Sequence, residues 1–127
     1  MNSNEFKSKY VKDGKILPND VDKIDGSLDL SGNNISKIEN LPDKIEEGLY
    51  LSDNKISKIE NLPDKIEGSL FLRNNKISKI ENLPDKIEGH SYLDDNPLPK
   101  RYRDKSFDEL KKIVHKEKVL DKILLKT

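Results

Sequence analysis

A block of 21 residues recurs with little change through the middle of this chain. One copy reads Leu62-Pro63-Asp64-Lys65-Ile66-Glu67-Gly68-Ser69-Leu70-Phe71-Leu72-Arg73-Asn74-Asn75-Lys76-Ile77-Ser78-Lys79-Ile80-Glu81-Asn82. The same words begin at Leu41-Pro42-Asp43-Lys44-Ile45 and again at Leu83-Pro84-Asp85-Lys86-Ile87. A fixed period of this length predicts a solenoid. A single copy cannot bury its apolar side chains alone, and stacked copies build one continuous core.

The informative part of each copy is Leu-x-Leu-x-x-Asn-x-Ile. It stands at Leu28 to Ile35, Leu49 to Ile56 and Leu70 to Ile77, with a decayed fourth copy from Ser91 to Leu98. The alternation Leu-x-Leu has a period of two, which predicts a short strand with one buried face. The asparagine then turns the chain, and its amide can both donate to and accept from backbone inside the turn. Stacked copies would align Asn33, Asn54, Asn75 and Asn96 as a structural ladder. Ile35, Ile56 and Ile77 would form one further apolar column, and Ile38, Ile59 and Ile80 another.

This pattern resembles the leucine-rich repeats over roughly residues 17–99. The 21-residue length and the Leu-Pro in each unit are similar to the short bacterial class, known from secreted effectors and found also in bacteriophage and large-virus proteins. The resemblance implies an α/β fold: a leucine-rich-repeat solenoid with about four parallel strands on a concave face, flanked by N- and C-terminal capping helices. Residues 1–127 would be a single domain, with an N-terminal cap over 1–16, repeats over 17–99 and a helical C-terminal cap over 100–127. The resemblance says little about function, because one fold hosts many.

Composition agrees with a solenoid. Hydrophobic content is 32% and charged content 38%, low and high enough to suggest disorder in an ordinary globule. A coil needs only a few inward Leu and Ile. The formal net charge is zero, which argues against a surface built for phosphate backbones. The chain has no cysteine, which favours a reducing compartment and a cytoplasmic location, with delivery into a host cell also open. Its first residues lack the apolar run of a signal peptide or membrane span. A monomer is expected, with no cofactor and with neither a membrane nor a nucleic acid as the expected partner.

Residues 3–13 read as a helix capped by Ser3 or Asn4, with Phe6, Tyr10 and Val11 on one face and Gly14 at its end. Leu17-Pro18 mimics the repeated Leu-Pro but lies 11 residues before Leu28, against 8 from Leu41 to Leu49, which suggests a three-residue insertion. Gly26, Gly68 and Gly89 share one position before a strand and suit unusual backbone angles there. Segments such as Ile56 to Pro63 are too short for helices and should be extended or single-turn, with Lys58 and Glu60 outward on a solvated convex side.

After Pro97 and Pro99 the pattern fails: Ser91 stands at an inward Leu position and Arg101 at an inward Ile position. Ser106-Phe107-Asp108-Glu109 is a capping box that opens a helix with Leu110, Ile113, Val114, Leu120, Ile123 and Leu124 as its apolar residues. Glu117 interrupts that stripe, so a bend near His115–Lys116 is expected. Residues 99–127 hold ten Lys/Arg against five Asp/Glu, so the helix reads either as a cap with a basic outer face or as a basic amphipathic partner helix.

Catalytic signals are poor. His90 and Ser91 near Asp94 would make a hydrolytic cluster only if Ser91 faced outward, and its position is inward. His90, Asp94 and Asp95 are a weak metal set, since adjacent strand residues alternate faces. Some bacterial proteins with similar repeats carry a separate ubiquitin-ligase domain that works through a cysteine; this chain has neither the length nor the cysteine for it, so that activity is not expected.

The outward strand positions remain. The residues between the two Leu positions are Asp29, Tyr50, Phe71 and Tyr92. Ser31, Ser52, Arg73 and Asp94 form the next column, and Ser27, Gly48, Ser69 and His90 the one before. Cross-strand aromatics stabilise a sheet in any case. An exposed aromatic row beside arginine also has the composition of an interface hot spot. The expected function is a non-enzymatic protein-binding module that uses the concave face, as an effector or inhibitor of a host protein. Its partner-binding residues would be Tyr50, Phe71, Tyr92, Arg73, Asp29, His90 and Asp94. The alternative is a structural or scaffold module whose basic C-terminal helix contacts a membrane or nucleic acid.

Overall fold

The 21-residue period of the sequence is also the hydrogen-bonding period of the fold. The structure is a computed structural model and describes residues 1–125. Helix α1 (Ser3–Tyr10) leads into a hairpin of β1 (Val11–Lys12) and β2 (Lys15–Ile16). Then come β3 (Lys23–Ile24), β4 (Leu28–Asp29), β5 (Lys44–Ile45), β6 (Leu49–Tyr50), β7 (Lys58–Ile59), β8 (Lys65–Ile66) and β9 (Leu70–Phe71). The repeats end with β10 (Lys79–Ile80), β11 (Lys86–Ile87) and β12 (Ser91–Tyr92), followed by a 3-10 turn at Lys100–Tyr102 and helix α2 (Phe107–Leu125).

The strands stack into a small β-solenoid with parallel sheets on three sides. One four-stranded sheet is β4, β6, β9 and β12, and a second is β3, β5, β8 and β11; β7 and β10 form a two-stranded third. A single sheet with extended or single-turn connections was the expectation. The connections are extended, and each Lys-Ile pair recurs every 21 residues, so they too pair in register: Lys44 with Lys65, Ile45 with Ile66.

That register also corrects the reading of the first repeat. Lys23 pairs with Lys44 and Leu28 with Leu49, each 21 positions apart, so nothing is inserted. Asn19, not Leu17-Pro18, opens the first unit, and its side chain donates to the Asn40 carbonyl one period later at 2.9 Å.

Inside the coil lie the apolar columns. Leu28, Leu49 and Leu70, then Leu30, Leu51 and Leu72, then Ile24, Ile45 and Ile66 are essentially inaccessible, as are Ile35, Ile56 and Ile77. Outside, Lys23, Lys44, Lys65 and Lys86 lie side by side, an arrangement that would repel. Glutamates two positions after the lysines of the later coils answer it: Glu46 meets Lys23 of the coil before at 2.9 Å, Glu88 meets Lys86 at 3.1 Å, and Glu67 lies between Lys44 and Lys65. A surface of interleaved signs thus holds many charges at zero net charge.

The ends are closed by different devices. At the N-terminal end Phe6 is fully buried, Ser3 Oγ accepts the Asp29 amide at 2.8 Å, and the Met1 carbonyl accepts the Asp25 amide. The helix is shorter than the sequence suggested and its cap is Asn2, whose side chain accepts the Glu5 amide. Val11 leaves the helix because Asp13 and Gly14, at φ 49° and 75°, make a tight turn that pairs Val11 with Ile16. Gly14 is also pressed against the Asn34 carbonyl, where a Cβ would lie 2.6 Å from the oxygen.

At the C-terminal end Leu98, Tyr102, Leu110 and Val114 cover the last coil. Ser106 and Glu109 form the reciprocal capping box at the start of α2. Arg101 does not turn inward; the buried residue there is its neighbour Tyr102. Nor does α2 break at His115–Lys116, for Glu117 is spanned within one helix. Glu117 instead accepts hydrogen bonds from Arg101 Nε, at 2.7 Å, and from the Tyr102 hydroxyl.

Candidate functional site

The β4–β6–β9–β12 sheet presents its outward side chains in columns, because parallel pairing without slippage sets like positions side by side. Tyr50 pairs with Phe71 and Phe71 with Tyr92. Their rings stack almost flat, with centroids 4.4 Å and 4.9 Å apart and planes 6° and 9° from parallel. These separations match the ~4.8 Å between strands, so backbone pairing sets the spacing of the stack, and packing of the rings sets their tilt. All three rings are half-buried.

Stacking along the sheet hides the ring faces against one another and turns the edges outward. The edge of an aromatic ring carries the positive end of its quadrupole. The exposed ribbon is therefore apolar, slightly electropositive, and ends in the Tyr50 and Tyr92 hydroxyls. Gly48 lies under the first ring: a Cβ there would meet Tyr50 Cε2 at 3.0 Å.

The neighbouring columns frame the rings. Arg73 places its guanidinium 5.0 Å from the Tyr92 ring centre and pairs with Asp94 at 3.3 Å. His90 stands edge-on to Tyr92, with centroids 6.4 Å apart. Asp29 is at the far end beside Tyr50, and its carboxylate accepts the Ser31 amide at 3.0 Å. Tyr50, Phe71, Tyr92, Arg73, His90 and Asp94 thus lie together on one face, with Asp29 at its N-terminal margin. Helix α2 does not lie over the rings. It docks beside Ile80 and Leu83, and its first turn reaches only the Glu88–Ser91 margin of the sheet. Among the described residues no three His, Asp or Glu side chains gather as a metal ion would require.

Beneath this face the ladder asparagines hold the turns. Asn75 is 4% exposed; its amide donates to the Leu51, Leu72 and Arg73 carbonyls, and its oxygen accepts the Ile56 amide. Asn54 and Asn96 repeat the arrangement on Leu30 and Leu72. Asn33, with no earlier coil beneath it, donates only to Ser31.

No family model, characterised protein or solved structure matches the chain.

Three features of the coils are not legible in the sequence pattern as read above. The residue before each ladder asparagine is left-handed: Gly32, Asp53, Asn74 and Asp95 have φ between 55° and 69°. Gly, Asn and Asp are the residues that adopt this conformation most readily, and the signal was their recurrence at one position. A second asparagine column also exists, in which Asn40 and Asn61 donate to the Ile16 and Ile38 carbonyls. Ser27 and Ser69 accept the Gly48 and His90 amides of the next coil, so these hydroxyls serve the backbone.

Gly68 and Gly89 have a different cause from the one expected. Only Gly26 in that column has a left-handed φ, at 81°. At Gly68 a Cβ would lie 2.6 Å from the Glu47 carbonyl carbon, and at Gly89 one would lie 2.9 Å from that of Gly68. Close approach of coil to coil, not backbone angle, requires glycine there.

Proposed function

We propose that this protein is a leucine-rich-repeat-type module that binds another protein through the Tyr50–Phe71–Tyr92 face, and that it acts by occupying that partner rather than by catalysis. The observation that carries this reading is the ring stack: three aromatics left half-exposed in one row, with a charged rim of Arg73, Asp94, His90 and Asp29. Buried, each ring would have served the core. Held outward by the strand alternation, they form an apolar ribbon bounded by charge, the composition of an interface centre with a polar rim.

The ribbon is rigid before any partner arrives. Parallel pairing and mutual stacking fix the rotamers, so little side-chain entropy remains to be lost on binding. The outward edges suit a partner that offers carbonyl oxygens or ring faces, and Arg73 adds a charge-assisted donor at the side. A protein surface supplies all of these.

The experiment is capture of the partner from cells of the native host, then calorimetry of the purified pair. Phe71→Ala should weaken binding by about 2 kcal/mol or more if the middle ring is a hot spot. Lys58→Ala, on the third sheet, should leave affinity unchanged. A Phe71→Ala protein that binds as tightly as its parent would remove the face from consideration.

A further inference from the structure

Helix α2 serves the solenoid with only its first half. Leu110 is fully buried and Val114 is 6% exposed, and the Glu117 contacts with Arg101 and Tyr102 pin the middle of the helix. Beyond that pin Val119 is 41% exposed, Leu120 57%, Ile123 53% and Leu125 87%. Leu120 borders an open cleft of about 600 Å³ between the distal helix and the Ser78–Glu81 segment. On a helical wheel Val119 and Ile123 are turned roughly 160° from the middle of Leu110 and Val114, and Leu120 roughly 100°. Val119 and Ile123 are therefore not a continuation of the docked face, and Leu120 stands at its edge, seven positions on from the partly buried Ile113.

Charge coincides with this stripe. Lys112 and Lys116 fall in the same sector nearer the stripe, Asp108 and Glu109 in that sector only at the far first turn, and Lys122 borders it. The region from residue 99 carries ten Lys/Arg against five Asp/Glu, although the whole chain is neutral. A second copy of the helix would bring the same positive surplus against it. A surface that is apolar beneath and anionic above answers both features at once. Lysine stems would lie along the apolar layer with their ammonium groups at the headgroups.

We propose that the distal half of α2 is a weak anchor for an anionic lipid surface. It lies in the plane of the interface with Val119, Leu120 and Ile123 inserted and the lysines on acidic headgroups. No helix among the described residues is long and apolar enough to cross a membrane, and this contact does not require one. It stands independently of the aromatic face.

The test is flotation of the full chain with vesicles of phosphatidylcholine containing about one third phosphatidylserine, against phosphatidylcholine alone. The chain should float with the acidic vesicles and be released by added salt. Val119→Ser combined with Ile123→Ser should reduce vesicle affinity about tenfold or more, through the lost apolar insertion. Phe71→Ala should leave vesicle binding unchanged. The chain contains no tryptophan, so Leu125→Trp supplies a single probe whose emission should shift to the blue on acidic vesicles. A chain that stays in solution with those vesicles, or a probe that keeps its emission, overturns the proposal. So does a dimer, seen by sedimentation, that the double serine variant converts to monomers, since a second copy would then be the occupant.

Discussion

Asn75 donates from its side-chain amide to the carbonyl of Leu51, 24 residues earlier and one coil away, at 3.0 Å. The same side chain closes its own turn on Leu72 and Arg73 and accepts the amide of Ile56. Asn75→Ala would leave several of these buried groups without partners, at a cost of about 1–3 kcal/mol. Urea unfolding measures it directly, and a variant as stable as the parent would contradict the account. Asn75→Asp keeps the acceptor but loses the donors and faces a carboxylate to three carbonyls, so it should be at least as damaging at neutral pH.

Phe71 and Leu72 are sequence neighbours on opposite faces. Leu72 is fully buried, and Leu72→Ala should cost roughly 2–5 kcal/mol of stability. Phe71→Ala removes two stacked ring contacts but leaves no sealed cavity, so its cost should be smaller than that of Leu72→Ala. The two thermal or urea transitions compared side by side decide this. A larger loss at Phe71 would mean that the ring belongs to the core.

Gly68→Ala tests the reason for the glycine column. Its Cβ would sit 2.6 Å from the Glu47 carbonyl carbon, on backbone that cannot swing aside. The expected loss is of the order of 1–3 kcal/mol, the range for overpacking. Gly26→Ala meets open space but has φ 81°, and should cost about 1 kcal/mol through backbone strain alone. A Gly68→Ala protein more stable than Gly26→Ala would show that the coils can part to admit a methyl group.

The C-terminal pin should respond to pH. Burial pushes the Glu117 carboxyl up, but hydrogen bonds from Tyr102 and Arg101 outweigh it and hold the group below the ordinary glutamate value. Its contribution is therefore present above about pH 4.3, the unfolded value, and is lost as pH falls through the lowered folded value. Burial and the bond to Glu117 push the Tyr102 phenol up. That contribution is present below about pH 10 and is lost as pH rises through the raised folded value. Melting temperatures of the parent and Glu117→Gln should differ at neutral pH and converge in acid. A gap that stays constant down to about pH 2 would exclude the carboxylate as the cause.

Sequence periodicity made the stacking, the buried columns and the outward aromatic row readable, because exact repeats leave no freedom in register. It did not make the second and third sheets readable. A Lys-Ile pair is too short to signal a strand by alternation and becomes one only when its copy stacks beside it. The boundaries of α1 were misread because Asp13-Gly14, a hairpin signal, lies within a helical pattern. Tyr102 fills the position that the repeat alignment assigns to Arg101, because the chain leaves the 21-residue register after Pro99. The face itself could be placed from alternation, but the near-parallel ring stack depends on rotamers that only packing sets.

The backward reach of the ladder has a consequence for how the protein is made. Asn54, Asn75 and Asn96 each hold the coil before their own, on Leu30, Leu51 and Leu72. As the chain leaves the ribosome, each new turn would therefore lock the one already outside, starting from the seated α1. Every such closure spans at most 24 residues. A nascent chain halted midway would be a shorter finished solenoid with one unlatched turn at its growing end.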